Sequence, residues 1–157
     1  MPWTCGEPIR IEVPGPPKAL ERNRHRIVKK RDGSQFVANY LPAKSRAEQS
    51  SIRKFAWEVM GNRAPLEGAV DLRVAAYMPV PTSWSKRKQA EALSDQARPT
   101  GRPDFDNIIK NVSDAFKEIV WRDDTLVTDA AVFLRYSDRP RLVIEVRLLT
   151  WHPSQIE

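Results

Sequence analysis

The run Pro103-Asp104-Phe105-Asp106-Asn107-Ile108-Ile109-Lys110, followed by Trp121-Arg122-Asp123-Asp124, sets four carboxylates and a lysine within 21 residues. Carboxylates repel one another and repel polyanions, so the cluster calls for a cation. A hard divalent ion, Mg²⁺ or Mn²⁺, takes oxygen ligands of this kind, and a phosphodiester is the natural substrate beside it. Arg102 precedes a proline and is biased to extended backbone. Asp104 and Asp106 therefore sit on an extended segment entering a helix, where an i, i+2 pair can aim both carboxylates the same way. Lys110 lies one turn after Asp106 on the same face.

The spacing carries one difficulty. A helix of about fifteen residues is ~22 Å long, so Asp124 cannot reach Asp106 by local geometry. Either the following strand runs back past the helix start or a second subunit supplies the carboxylate. The competing structural account is simple. Asp or Asn at a helix start is routine capping, Asp114 with Lys110 or Lys117 is a surface pair, and Asp123-Asp124 is a turn.

The surroundings of the cluster are basic. Net charge is +6, from 26 Lys and Arg against 20 Asp and Glu, which favours a polyanionic partner. Lys18, Arg22, Arg24, Arg26, Lys29, Lys30 and Arg31 face a single acid, Glu21, across their stretch. Lys86, Arg87 and Lys88 form a second group, and Arg98 and Arg102 lead into the carboxylates. Positive flanks around an acidic centre suit phosphate cleavage: the flanks hold the backbone and the centre holds metal. Lys18, Arg22, Arg24, Arg26, Lys86, Arg87 and Arg102 are the candidate DNA contacts. The plainer reading of Lys18 to Arg31 is a solvated charged hairpin. Trp84 and Trp121 read as packing residues in preference to base-stacking platforms.

Cys5 is the sole cysteine, which excludes an intrachain disulfide and a cysteine-based zinc site. The uncharged run Val74 to Trp84 contains two prolines and is too short to span a bilayer. Met1 to Thr4 opens no signal peptide. The expectation is a cytoplasmic protein with no membrane partner.

The elements that position the cluster follow from periodicity. Ile9 to Val13 alternates as a half-buried strand ending at Pro14. Ile27-Val28 and Phe36-Val37-Ala38 suggest a hairpin turning at Asp32-Gly33. Ser45 to Met60 reads as a helix with Ala47, Ile52, Phe55, Ala56 and Val59 on one face, ended by Gly61-Asn62. Val70 to Tyr77 is a central strand stopped by Pro79, Ser83 to Leu93 a short exposed helix, and Ala97 to Pro103 a loop. Asp106 to Val120 reads as a helix with the apolar stripe Ile108, Val112, Ala115 and Ile119 and a polar stripe of Asp106, Lys110, Asp114 and Lys117. Strands Leu126 to Arg135 and Leu142 to Leu149 follow, with the turn Ser137 to Pro140 between them. The sum is an α+β fold, one domain over residues 1–157, with a mixed sheet covered by helices on one side.

The central run, with Ser113-Asp114-Ala115-Phe116, Trp121-Arg122-Asp123-Asp124 and the early Val13-Pro14-Gly15-Pro16-Pro17 before Arg-rich sequence, resembles the RusA family of Holliday junction resolvases. The resemblance spans roughly Ile9 to Leu148. It implies a homodimeric, Mg²⁺-dependent (or Mn²⁺-dependent) endodeoxyribonuclease that cuts four-way junctions by paired nicks in recombination and repair. By position it implies Asp104, Asp106 and Asp124 as metal ligands, Asp124 in preference to Asp123, and Lys110 as the catalytic lysine. The chain is longer than the family pattern around Pro79 to Thr100. A flap or fork nuclease, and a junction-binding protein without turnover, are the competing functions.

Overall fold

Strands of alternating apolar residues build a five-stranded mixed sheet, and the connection across it carries the acidic run. The computed structural model describes residues 2–153. In chain order the strands are β1 (Trp3–Cys5), β2 (Ile9–Pro14), β3 (Arg24–Lys29), β4 (Gln35–Tyr40), β5 (Val70–Pro79), β6 (Val127–Ser137) and β7 (Arg141–Trp151). The helices are α1 (Ala43–Met60), α2 (Lys86–Leu93) and α3 (Phe105–Phe116), and a 3₁₀ turn spans Asp124–Leu126.

β7 lies between β5 and an outer edge shared by β1 and β2, and β6 pairs with the other side of β5. Only β5 and β6 run parallel. A parallel pair needs a crossover connection, and here α2 and α3 supply it. β3 and β4 stand apart as a two-stranded ribbon. Ile11, Leu72, Val74, Ile144 and Val146 from the sheet meet Ile52 and Ala56 of α1 and Ile108, Val112 and Phe116 of α3 in one buried cluster. Arg10 and Arg73 point from the opposite face into solvent. The expected α+β single domain, with helices on one side of a mixed sheet, is the observed architecture.

Two local expectations are corrected, and two features add to the sequence reading. The helix read as Asp106 to Val120 stops at Phe116. There Lys117 (φ −53°, ψ 131°) and Glu118 (φ 66°) form a turn closed by Ile119 N donating to Phe116 O at 3.0 Å. Those angles are of type II, where glycine is usual at the third position; glutamate there hides the stop. The turn lets Trp121 pack edge-on to Phe116, with centroids 5.4 Å apart. On α1, Ala47 and Val59 face solvent while Ser45 and Met60 are buried, because the buried stripe runs through Ser45, Ile52, Ala56 and Met60 at spacings of seven, four and four, which leaves Ala47 and Val59 outside it. β6 and β7 do not pair with each other, since β5 lies between them and the turn after Ser137 steps over its end. β1, absent from the sequence reading, extends the outer edge by pairing Trp3 to Cys5 with Trp151 to Leu149. Three residues are too few for alternation to register.

Candidate active site

Asp104 is the residue before the first turn of α3, extended at φ −86° and ψ 173°. Its carbonyl starts the helix by accepting from Ile108 N at 3.0 Å. Its carboxylate makes no capping hydrogen bond, so the ordinary reason for Asp at this position does not apply. Asp106 sits in the first turn. Both side chains are exposed, and among the described residues neither has a hydrogen-bond or ion-pair partner. They line one open cavity of about 550 Å³ together with Arg22, Arg24, Arg102 and Asn107. Two bare carboxylates thus share a hollow with three guanidinium groups, of which that of Arg24 is paired with Glu21 at 3.1 Å.

The basic segment is held there by a clamp. Leu20 N donates to Asn107 Oδ1 at 2.7 Å, and Asn107 Nδ2 donates back to Leu20 O at 3.1 Å. Leu20 is buried, and Glu21 N donates to the Oγ of buried Ser45 at 2.9 Å. These bonds fix the chain just before Arg22 against the start of α3. Neither Asn107 nor Ser45 was a candidate from sequence. Their partners lie 87 and 24 residues away, and no local spacing announces them.

Other candidates fall elsewhere. Lys110 projects into solvent with Nζ 3.6 Å from Asp114 Oδ2, the surface pair that spacing allowed. Lys18 pairs weakly with Glu48 at 3.9 Å beside a separate hollow lined by Pro14 to Lys18; burial raises the Glu48 carboxyl pKa. Arg26 lies on β3, and Lys86 and Arg87 lie on α2, where Arg87 pairs with Glu91 at 3.1 Å. None of these lines the carboxylate cavity. Trp121 is fully buried and Trp84 packs edge-on to Tyr136, so both are packing residues.

Asp123 and Asp124 occupy the far end of α3, which at twelve residues is about 18 Å long. Asp123 caps the 3₁₀ turn by accepting from Thr125 N at 3.0 Å and pairs with Lys117 at 3.1 Å. The Thr125 amide, then Lys117, lowers its pKa, and Asp123 in turn raises that of Lys117. Asp124 Oδ1 accepts from the indole Nε1 of Trp121 at 2.8 Å. β6 does run back along α3, but Asp124 stays at its near end. No group of three His, Cys, Asp or Glu among the described residues is placed to hold a metal. Within one chain, Asp124 therefore does not join Asp104 and Asp106.

Two free carboxylates nonetheless suit a hard divalent ion. Mg²⁺ keeps several waters and is commonly held by one or two carboxylates together with substrate phosphate. No helix among the described residues is long and apolar enough to cross a membrane.

A family model described as "Endodeoxyribonuclease RusA" matches residues 14–147. A Bacillus subtilis (strain 168) protein described as "Uncharacterized protein YqaN" is 33% identical over 144 residues, covering 88% of this chain and 95% of its own.

Proposed function

The chain belongs to the RusA endodeoxyribonuclease family, and from that premise we propose that it resolves four-way DNA junctions by paired, metal-dependent nicks in recombination and repair. The observation that carries this reading is the pair of unpartnered carboxylates, Asp104 and Asp106, in a cavity walled by Arg22, Arg24 and Arg102. A protein that only bound DNA would gain nothing from bare carboxylates beside phosphate.

Asp104 and Asp106 would hold the metal. A divalent ion, Mg²⁺ or Mn²⁺, would supply there an activated water and neutralise charge on the scissile phosphate. Arg22, Arg24 and Arg102 bind the flanking phosphates and fix the strand in register. Lys110 exchanges its exposed pairing with Asp114 for the phosphate, stabilising charge that develops during cleavage. Lys18, Arg26, Lys86 and Arg87 lie outside the cavity and contact more distant DNA.

Asp124 is the third ligand, contributed by the second subunit of a homodimer. Its Oδ2 remains available while Oδ1 is held by Trp121, whereas Asp123 is committed to Thr125 and Lys117. A two-fold dimer also matches a junction that is cut on two opposed strands.

The test incubates the protein with a labelled four-way junction, with and without Mg²⁺, beside the Asp106→Asn variant and a linear duplex of matched length. Paired, metal-dependent nicks confined to the junction, and lost in the variant, are expected. Junction binding without cutting would leave a structure-selective binder. Equal cutting of linear duplex would make the protein a general nuclease, and a preference for flaps or forks would reassign its substrate.

A further inference from the structure

Among the described residues, the ribbon of β3 and β4 has no strand partner in the fold. It pairs only within itself, and no residue from Arg24 to Tyr40 is buried. A two-stranded hairpin alone is marginally stable in water, yet this one exposes Phe36 by 46% on the face that carries Arg24 and Arg26, and Ile27 by 67% and Val37 by 65% on the opposite face. Such a surface needs an occupant.

Charge identifies the occupant. The ribbon and its tip carry Arg24, Arg26, Lys29, Lys30 and Arg31 against one acid, Asp32, and Arg24 is paired just outside it with Glu21 at 3.1 Å. Asp32 is spent within the turn, accepting from Ser34 N at 2.9 Å. Two copies of so cationic an arm repel each other, while a polyanion is attracted. Direction follows from register. Arg24 lines the carboxylate cavity, and Arg26 follows it on the same face, paired with Ala38 as Arg24 is with Tyr40. Tyr40 and Phe36 belong to that face, and Lys30 Nζ lies 5.5 Å from the Phe36 ring centre. The face therefore continues the cavity wall outward as a row of cations and aromatic rings. Two paired strands have the width that a DNA major groove admits. Six residues per strand extend ~20 Å, about six base steps at ~3.4 Å each.

Resting on the nuclease reading, we infer that the β3–β4 ribbon grips the duplex arm next to the scissile phosphate, over about six base pairs. The clamp between Asn107 and Leu20 sets the spacing between that grip and the carboxylates, because the ribbon springs from the segment it pins.

Hydroxyl-radical footprinting of a four-way junction tests this, with Asp106→Asn in every protein to prevent cutting. The full chain is compared with a variant in which residues 27–37 are replaced by Asn-Gly. Arg26 and Ala38 are directly paired, so a two-residue turn closes the shortened hairpin. A second variant, Lys29→Gln/Lys30→Gln/Arg31→Gln, removes charge at the tip without changing the chain's length. Expected for both is loss of protection at the distal end of one arm, with the footprint near the cut retained. Junction affinity should fall about ten-fold or more near physiological salt, and the log–log salt slope should drop by about 3 if each lost cation met one phosphate. An unchanged footprint and slope would overturn the inference. So would loss of dimer in sedimentation with the footprint per subunit intact, which would make the ribbon a subunit arm. A full chain that protects no junction DNA would sink the nuclease reading and this inference together.

Discussion

Asn107 illustrates how a side chain inside an acidic run can serve position in place of chemistry. Its amide both accepts from and donates to the Leu20 backbone, a pairing that Asp cannot reproduce when ionised because it has no donor. Removing it as Asn107→Ala leaves two partly buried backbone groups unpaired, at a cost of about 1–3 kcal/mol. We expect a lower urea midpoint, faster amide exchange at Leu20 and weaker junction binding. Mg²⁺ titration of Asp104 and Asp106 should be unchanged. Faster exchange throughout α3, with lost metal binding, would mean that Asn107 holds the whole helix start. The Lys117–Asp123 pair plays a different part. A lowered carboxyl pKa and a raised ammonium pKa keep both charged across the neutral range. The carboxylate's contribution to stability is present above its unfolded pKa and is lost as pH falls through the folded one. The lysine's contribution is present below its unfolded pKa and is lost as pH rises through the folded one.

Among the elements, α3 matters most because its length decides what its two ends can share. Its C-terminal stop is the type II turn at Lys117 and Glu118, with Glu118 at φ 66°. Left-handed backbone costs an ordinary L-residue roughly 1–2 kcal/mol, and glycine avoids it. Glu118→Gly should therefore stabilise the protein by about 1 kcal/mol after allowing for glycine's greater unfolded freedom, read as a raised thermal midpoint. Glu118→Val should lower it. If Gly were destabilising, the turn would depend on the glutamate side chain and not on its backbone. The helix start needs no such device. Pro103 and the extended Asp104 direct the chain into α3, and the unspent Asp104 carboxylate faces the cavity.

For the whole molecule, the separation of Asp124 from Asp104 and Asp106 makes a sharp demand on assembly. If two subunits complete each other's sites, Asp106→Asn and Asp124→Asn subunits should complement. In a mixed dimer one site then carries both substitutions and the other carries neither. Co-expressed chains bearing different tags, purified as the mixed dimer, should regain single-strand nicking on a junction while each parent dimer stays inactive. A mixed dimer as inactive as its parents would place all ligands within one chain, and an Asp124→Asn parent that still cuts would remove Asp124 from the site. Asp124→Asn suits this test because an amide oxygen still accepts from Trp121 Nε1, sparing the buried indole its lost partner.

The sequence by itself determined whatever depends on neighbours in the chain. Alternation placed β2, β5 and β7, a 3.6-residue period placed most of α1 and α3, and Asp-Gly marked the turn of the ribbon. The acidic run, its basic flanks and their spacing likewise identified the carboxylate pair and carried the family resemblance. Tertiary structure alone decided what depends on distance across the fold: the insertion of β5 between β6 and β7, the clamp of Asn107 on Leu20, and the isolation of the ribbon. It also fixed where Asp124 lies. The reason is physical: side-chain period and backbone preference act within a few residues, whereas strand order and long-range hydrogen bonds are set by which buried surfaces pack best together. Phe116 and Trp121 settled that packing at the end of α3 against the glutamate that sequence reading took for helix.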